Sequence, residues 1–134
     1  METSPSSRRV LGVYDKSFWD HFQQDRRLHL QCCDTCGRFR YPPSPICPVC
    51  LAQEATWLPI SGTGTVLSWT IFHRQYLPEY PAPYNVIAVK LDEGPIFISN
   101  LADAEQVRTS IGRRVACEAE LLNDGVYIPR FRLE

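Results

Sequence analysis

The stretch Cys33-Asp34-Thr35-Cys36-Gly37, with ten residues separating Cys36 from Cys47-Pro48-Val49-Cys50, decides how this chain is read. Two Cys-x-x-Cys knuckles at this separation bring four thiolates to the corners of a tetrahedron, the arrangement Zn²⁺ prefers. Gly37 follows the first knuckle, where the backbone must turn back sharply and a residue without Cβ is at ease. The expected metal ligands are therefore Cys33, Cys36, Cys47 and Cys50. A catalytic zinc keeps one coordination position open, whereas four thiolates close the shell, so the expected ion is structural. Iron would satisfy the same four sulfurs, and spacing alone does not separate the two metals. Cys32 offers a second register, Cys32-x3-Cys36, but the two-residue spacing suits a tight knuckle better and leaves Cys32 a bystander. Cys117, far away on an alternating segment, reads as a small core residue.

Around these knuckles the composition of residues 28–54 is unusual. Five of the six cysteines lie here, among Pro42, Pro43, Pro45 and Pro48. So few large apolar groups cannot hold such a segment by burial, and a cross-link is needed. Upstream, residues 1–13 are polar and expected to be flexible. Residues 14–27 carry Phe18, Trp19 and Phe22 at helical spacing, which predicts a short amphipathic helix near 16–25, capped by Asp15 or Ser17. Downstream, residues 55–134 turn strand-like. The run Gly62 to Phe72, the alternating Asn85 to Leu91 with its Asp92-Glu93-Gly94 turn, Pro95 to Asn100, Arg114 to Leu121 and, after Asp124-Gly125, Val126 to Phe131 predict five strands. Ala102 to Val107 reads as a helical turn. A small closed or nearly closed antiparallel barrel is the economical arrangement, because closure removes exposed edges. The fold class is thus mainly β: a helix, a metal ribbon and a five-stranded barrel.

Composition narrows the function classes. In 134 residues, 44% hydrophobic and 22% charged content supply enough apolar surface to offset chain entropy, which excludes disorder over most of the length. Fourteen Lys and Arg against fifteen Asp and Glu leave a net charge of −1, which disfavours a strongly basic nucleic-acid binder. Eleven prolines argue against a helical bundle. No apolar run reaches membrane-spanning length and the N-terminus lacks a secretory pattern, so a cytoplasmic location and reduced thiols are expected.

The catalytic inventory is thin. No phosphate-binding Gly-x-x-x-x-Gly-Lys loop, His-Glu-x-x-His or Gly-x-Ser-x-Gly is present. His73 and Arg74, at the end of the longest strand, form an adjacent cationic pair that can meet a phosphate or a partner's carboxylate, or simply face solvent. The segment Tyr76-Leu77-Pro78-Glu79-Tyr80-Pro81-Ala82-Pro83-Tyr84 combines three tyrosines with three prolines. A stiff aromatic loop of this kind loses little entropy on binding, and Tyr is enriched at interfaces; it could equally fold over the barrel's open end.

Phe18-Trp19, Cys33 to Gly37, Tyr41-Pro42-Pro43, Cys47 to Cys50, Ser61 to Thr70, Pro83 to Gly94 and Asp124-Gly125 occur in an order that resembles the zinc-ribbon/OB-fold family associated with acyl-CoA metabolism, once catalogued as a domain of unknown function. The resemblance covers residues 14–132. It implies an N-terminal helix, a rubredoxin-like zinc ribbon and a C-terminal OB-fold. It further implies work beside a thiolase-like protein that makes or breaks carbon–carbon bonds in acyl-CoA substrates, as in steroid side-chain aldol-lyases. Catalytic residues then belong mainly to the partner, while this chain shapes a shared substrate and CoA channel. Two positions depart from the family pattern: Cys32 and Ser44 stand where relatives often carry Arg, which removes cations that would meet a CoA phosphate.

The expected function is accordingly an accessory subunit of a thiolase-like acyl-CoA enzyme, with Phe18, Trp19, Phe22, His73, Arg74, Tyr76, Tyr80 and Tyr84 facing the partner or its substrate. The alternatives are a module for single-stranded nucleic acid, using a local patch of Arg38, Arg40, Arg74 and Lys90, and a standalone acyl-CoA binder.

Overall fold

A computed structural model describes residues 10–78 and 80–134; residues 1–9 of the polar N-terminus, and Glu79 of the tyrosine-rich loop, lie outside the described residues. The chain runs through helix α1 (Val13–Asp25), strands β1 (His29–Cys33), β2 (Phe39–Arg40), β3 (Ala55–Pro59), β4 (Thr63–Phe72), β5 (Tyr84–Leu91) and β6 (Ile96–Ser99). A 3-10 helix (Ala104–Thr109), β7 (Arg114–Leu121) and β8 (Tyr127–Leu133) complete it. The strands form two antiparallel sheets, ordered β2-β1-β3 and β6-β5-β4-β7-β8.

The five-stranded sheet curls until its ends meet. Ser99 Oγ donates to the Pro129 carbonyl at 3.0 Å, Phe131 N to Asn100 O at 3.0 Å and Ala102 N to Phe131 O at 2.7 Å, and Leu101 bridges Phe131 in parallel. These bonds satisfy the edge groups that an open sheet would leave to solvent, and the result is the nearly closed antiparallel barrel expected from the strands, of the OB type that the family resemblance implies. Period-two alternation drives the burial: Asn85, Ile87, Val89 and Leu91 point inward along β5. The inward Asn85 is satisfied by Leu101, whose N–H donates to Asn85 Oδ1 at 2.7 Å while Asn85 Nδ2 donates to the Leu101 carbonyl at 3.0 Å.

β4 passes tightly against β5 at Gly64, paired with Leu91. A Cβ there would run into the Lys90 carbonyl oxygen and stand 2.7 Å from Val89 Cγ1. Gly64→Ala is therefore expected to destabilise the barrel by about 1–3 kcal/mol, read as a lowered urea midpoint with an unchanged slope.

Helix α1 does not start at the expected cap. It begins after Gly12, whose extended backbone occupies the N-cap without a side-chain bond, and Asp15 lies inside the first turn, where its charge favours the helix N-terminus. At the other end Arg26 takes a left-handed conformation (φ 58°) and its N–H bonds the Phe22 carbonyl. The helix is stitched to β8 by Gln23: Tyr127 N donates to Gln23 Oε1 at 2.8 Å, and Gln23 Nε2 donates to Tyr127 O at 2.7 Å.

Phe18 and Phe22, expected to face a partner, are instead buried within this chain, at 3% and 0% exposure. They join Leu28 and Leu30 of the ribbon side and Val66, Val89, Phe97 and Phe131 of the barrel in one continuous core. Phe18 touches Tyr41 (centroids 5.5 Å) and Phe97 (6.0 Å), and Tyr41 touches Phe97 (4.7 Å). The reason is that neither sheet alone offers enough apolar cover; the helix lies across both and fills the junction.

Candidate functional site

The two knuckles are built alike. After the first, Gly37 N donates to Cys33 O at 2.9 Å; after the second, Leu51 N donates to Cys47 O at 3.0 Å. Both closing residues are left-handed, Gly37 at φ 77° and Leu51 at φ 66°. An L-residue with a branched side chain is strained there, and Leu51 is 72% exposed, so its side chain returns little burial. Leu51→Gly is expected to stabilise the zinc-loaded chain by about 1 kcal/mol, measured as a higher thermal midpoint.

The Sγ atoms of Cys33, Cys36, Cys47 and Cys50 all lie within 4.8 Å of one another. Cys33 and Cys50 are 3.5 Å apart, Cys36 and Cys47 3.7 Å. Zinc–sulfur bonds of about 2.3 Å require tetrahedral edges of about 3.8 Å, so the quartet fits the ion. The protein also prepares the charge. The amides of Cys50 and Val49 point at Cys47 and draw its thiol down to about 6; the Cys36 amide likewise draws Cys33 down. Cys50 is drawn down by the Ala52 amide, but burial and the neighbouring Cys33, Cys47 and Cys36 thiols outweigh this and push it up to about 11. Cys32 stands outside the quartet, its thiol donating to Gly37 O at 3.4 Å. Burial raises the Cys117 thiol to about 12, as befits a side chain packed on the core.

At the opposite end of the barrel the structure gathers several of the aromatics singled out in the sequence. Phe72, at the end of β4, is the hub: its ring lies 5.2 Å from Tyr84 and 6.2 Å from Tyr76, and Tyr84 lies 6.4 Å from Tyr80. Arg74 stacks on Tyr76 at 5.2 Å; Tyr76 and His73 are exposed. Trp19 is half-buried and set edge-on to Phe18, well away in the chain from this group. Phe72 was missed because it ends an apolar strand, where an aromatic is ordinary.

Beneath this rim opens a cavity of about 800 Å³, lined by Ile71, Tyr84, Asn85, Val107, Arg130 and Arg132 among others. Its cations are already paired. Arg130 contacts Glu120, and Arg132 reaches Glu118 at 2.9 Å and Asp103 at 3.2 Å. Likewise Arg114 grips Asp92 through both nitrogens at 2.7 Å, holding that carboxyl well below the usual carboxylate range. The alternation of Glu118 and Glu120 on β7 with Arg130 and Arg132 on β8 is a cross-strand charge ladder that period-two reading could have found. These pairs neutralise Arg114, Arg130 and Arg132, whereas Arg38, Arg40, Arg74 and Lys90, the patch considered for single-stranded nucleic acid, join no ion pair among the described residues.

Residues 24–54 match the family described as "ChsH2, rubredoxin-like zinc ribbon domain", and residues 57–120 match "ChsH2, C-terminal OB-fold domain". With the ribbon family and the sulfur geometry in agreement, the quartet is a structural zinc site. The chain is 34% identical over 99 residues to a "DUF35 domain-containing scaffold protein" of Pyrococcus furiosus, covering 73% of this chain and 72% of that protein. It is 32% identical over 118 residues to a "Probable enoyl-CoA hydratase alpha subunit" of Thermomonospora curvata, covering 88% of this chain but only 37% of that subunit. Among solved structures, "Ltp2-ChsH2(DUF35) aldolase" contains a chain that superposes with a TM-score of 0.81 at 30% identity, covering 94% of this chain and 98% of its own. The chain belongs to the DUF35 family, in which a ChsH2-type zinc ribbon is joined to an OB-fold.

Proposed function

We propose that this chain is the accessory subunit of a thiolase-like acyl-CoA enzyme, an aldol-lyase that cleaves a carbon–carbon bond of an acyl-CoA by retro-aldol chemistry, a steroid side chain being one such substrate. The observation that carries this reading is the likeness, over almost the whole length of both chains, to a chain of the solved "Ltp2-ChsH2(DUF35) aldolase". The residues agree with it. The metal is sealed by four thiolates and leaves no position for substrate. The cationic side chains at the large cavity are tied to carboxylates, and an exposed aromatic rim stands above it. In this reading the rim of Phe72, Tyr76, Tyr80 and Tyr84 meets the partner, with His73 and Arg74 beside it, and the cavity of about 800 Å³ forms part of a channel shared with the partner's active site.

The test is co-expression with a thiolase-like protein of the same genome. A single co-eluting complex on gel filtration, with turnover in the complex and none in the isolated chain, is expected. Tyr76→Ala combined with Tyr84→Ala should weaken the complex at least about tenfold, about 1.4 kcal/mol or more, as aromatic anchors at interfaces do. Two separately eluting proteins would overturn the proposal, as would turnover by this chain alone.

A further inference from the structure

We propose that the cleft between the ribbon and the β5–β6 turn binds an oxyanion, the carboxylate or phosphate group of a small ligand, on the guanidinium of Arg40. The cleft has a volume of about 420 Å³ and is lined by Arg38, Phe39, Arg40, Tyr41, Pro48 and Glu93 among others. It lies away from the aromatic rim and does not depend on any partner.

Arg40 is 4% exposed. Its Nε donates to Gln31 Oε1 at 3.3 Å, but Nη1 is buried without a hydrogen-bond partner among the described residues. Gln31 brings no charge, and its oxygen is shared with the Ser44 N–H at 2.9 Å. Neither Arg40 nor Arg38 joins an ion pair among the described residues, in contrast to Arg114, Arg130 and Arg132. Glu93, the acid at the cleft, turns its carboxylate to Ser61, accepting from the backbone N–H at 2.8 Å and from Oγ at 3.3 Å.

A guanidinium does not escape burial by losing its proton, and a buried charge without a counter-charge is costly to keep. An acceptor carrying negative charge would satisfy both the open hydrogen bond and the unpaired charge, and the planar fork of arginine matches carboxylate and phosphate oxygens two at a time. Arg38, exposed at the same cleft, adds a second cation. The space exceeds that of a bare anion, so the group belongs to a larger molecule.

Isothermal titration of the full zinc-loaded chain with sodium phosphate, and separately with sodium acetate, at ionic strength fixed by sodium chloride, tests this. Saturable binding of at least one anion at one site per chain is expected, and the preferred probe identifies the headgroup. Arg40→Met should weaken it about tenfold to a hundredfold, Arg38→Gln by less, and Arg113→Gln not at all. Two results would overturn the site: no saturable binding of either anion, as when a water satisfies Nη1, or equal binding by Arg40→Met, an adventitious ion only. Should Arg40→Met fail to fold, the same titrations followed by amide chemical shifts of the unaltered protein decide: saturable shifts at Phe39–Tyr41 and Gly94 support the site, and their absence refutes it.

Discussion

Cys47→Ser is expected to abolish zinc binding and, with it, the native fold of residues 28–54. Metal content should fall from one zinc per chain to none, and the variant should lose its cooperative thermal transition. Zinc binding in small ribbon-like peptides is worth roughly 10–16 kcal/mol, while whole domains are stable by only about 5–15 kcal/mol. Removal of one ligand therefore cancels most of the margin. The damage should not stay in the ribbon, because Leu28 and Leu30 share a core with Phe97 and Phe131 of the barrel. The same balance predicts a pH dependence. In the metal-free quartet Cys47 sits at about 6 and Cys50 at about 11, so at neutral pH the metal must displace protons to bind. Protons compete with zinc, and apparent affinity should rise with pH between 6 and 8, as a chelator competition would record. Full folding of a metal-free Cys47→Ser variant would contradict this account.

Phe22→Ala is expected to cost about 3–5 kcal/mol. The side chain is fully buried, and its removal opens a void where helix, ribbon and barrel meet. For a chain of this size the thermal midpoint should fall by roughly 10–20 °C. The variant also distinguishes a core role from a surface one. A partner-facing phenylalanine would leave the isolated chain within about 0.5 kcal/mol of its parent and weaken only the complex.

Much of the fold was legible because its determinants are local. The four metal cysteines announce themselves by spacing, and Asn85 to Leu91 announces its strand by alternation. Leu51 could have been read too, since Cys47-Pro48-Val49-Cys50-Leu51 repeats the first knuckle and puts Leu where Gly37 stands. Other features depend on partners distant in the chain. Helical spacing of Phe18 and Phe22 says that a face is covered, not what covers it. β3 follows the second knuckle and pairs with β1, as in Leu58 with Leu30, yet Ala-Thr-Trp-Leu-Pro carries no signal of that choice. The Gln23 and Asn85 amides, each reading the backbone of a residue far along the chain, look like ordinary polar side chains in sequence. Arg40 looks like one cation among fourteen, and only the packing shows it buried with no carboxylate paired to it among the described residues.

The meeting of Phe18, Tyr41 and Phe97 has a consequence for protein engineering. Those rings come from three successive portions of the polypeptide, so a chimera exchanging only the cysteine-bearing portion between relatives would set mismatched surfaces against one another. Grafts should carry helix, metal clasp and barrel together as one cassette.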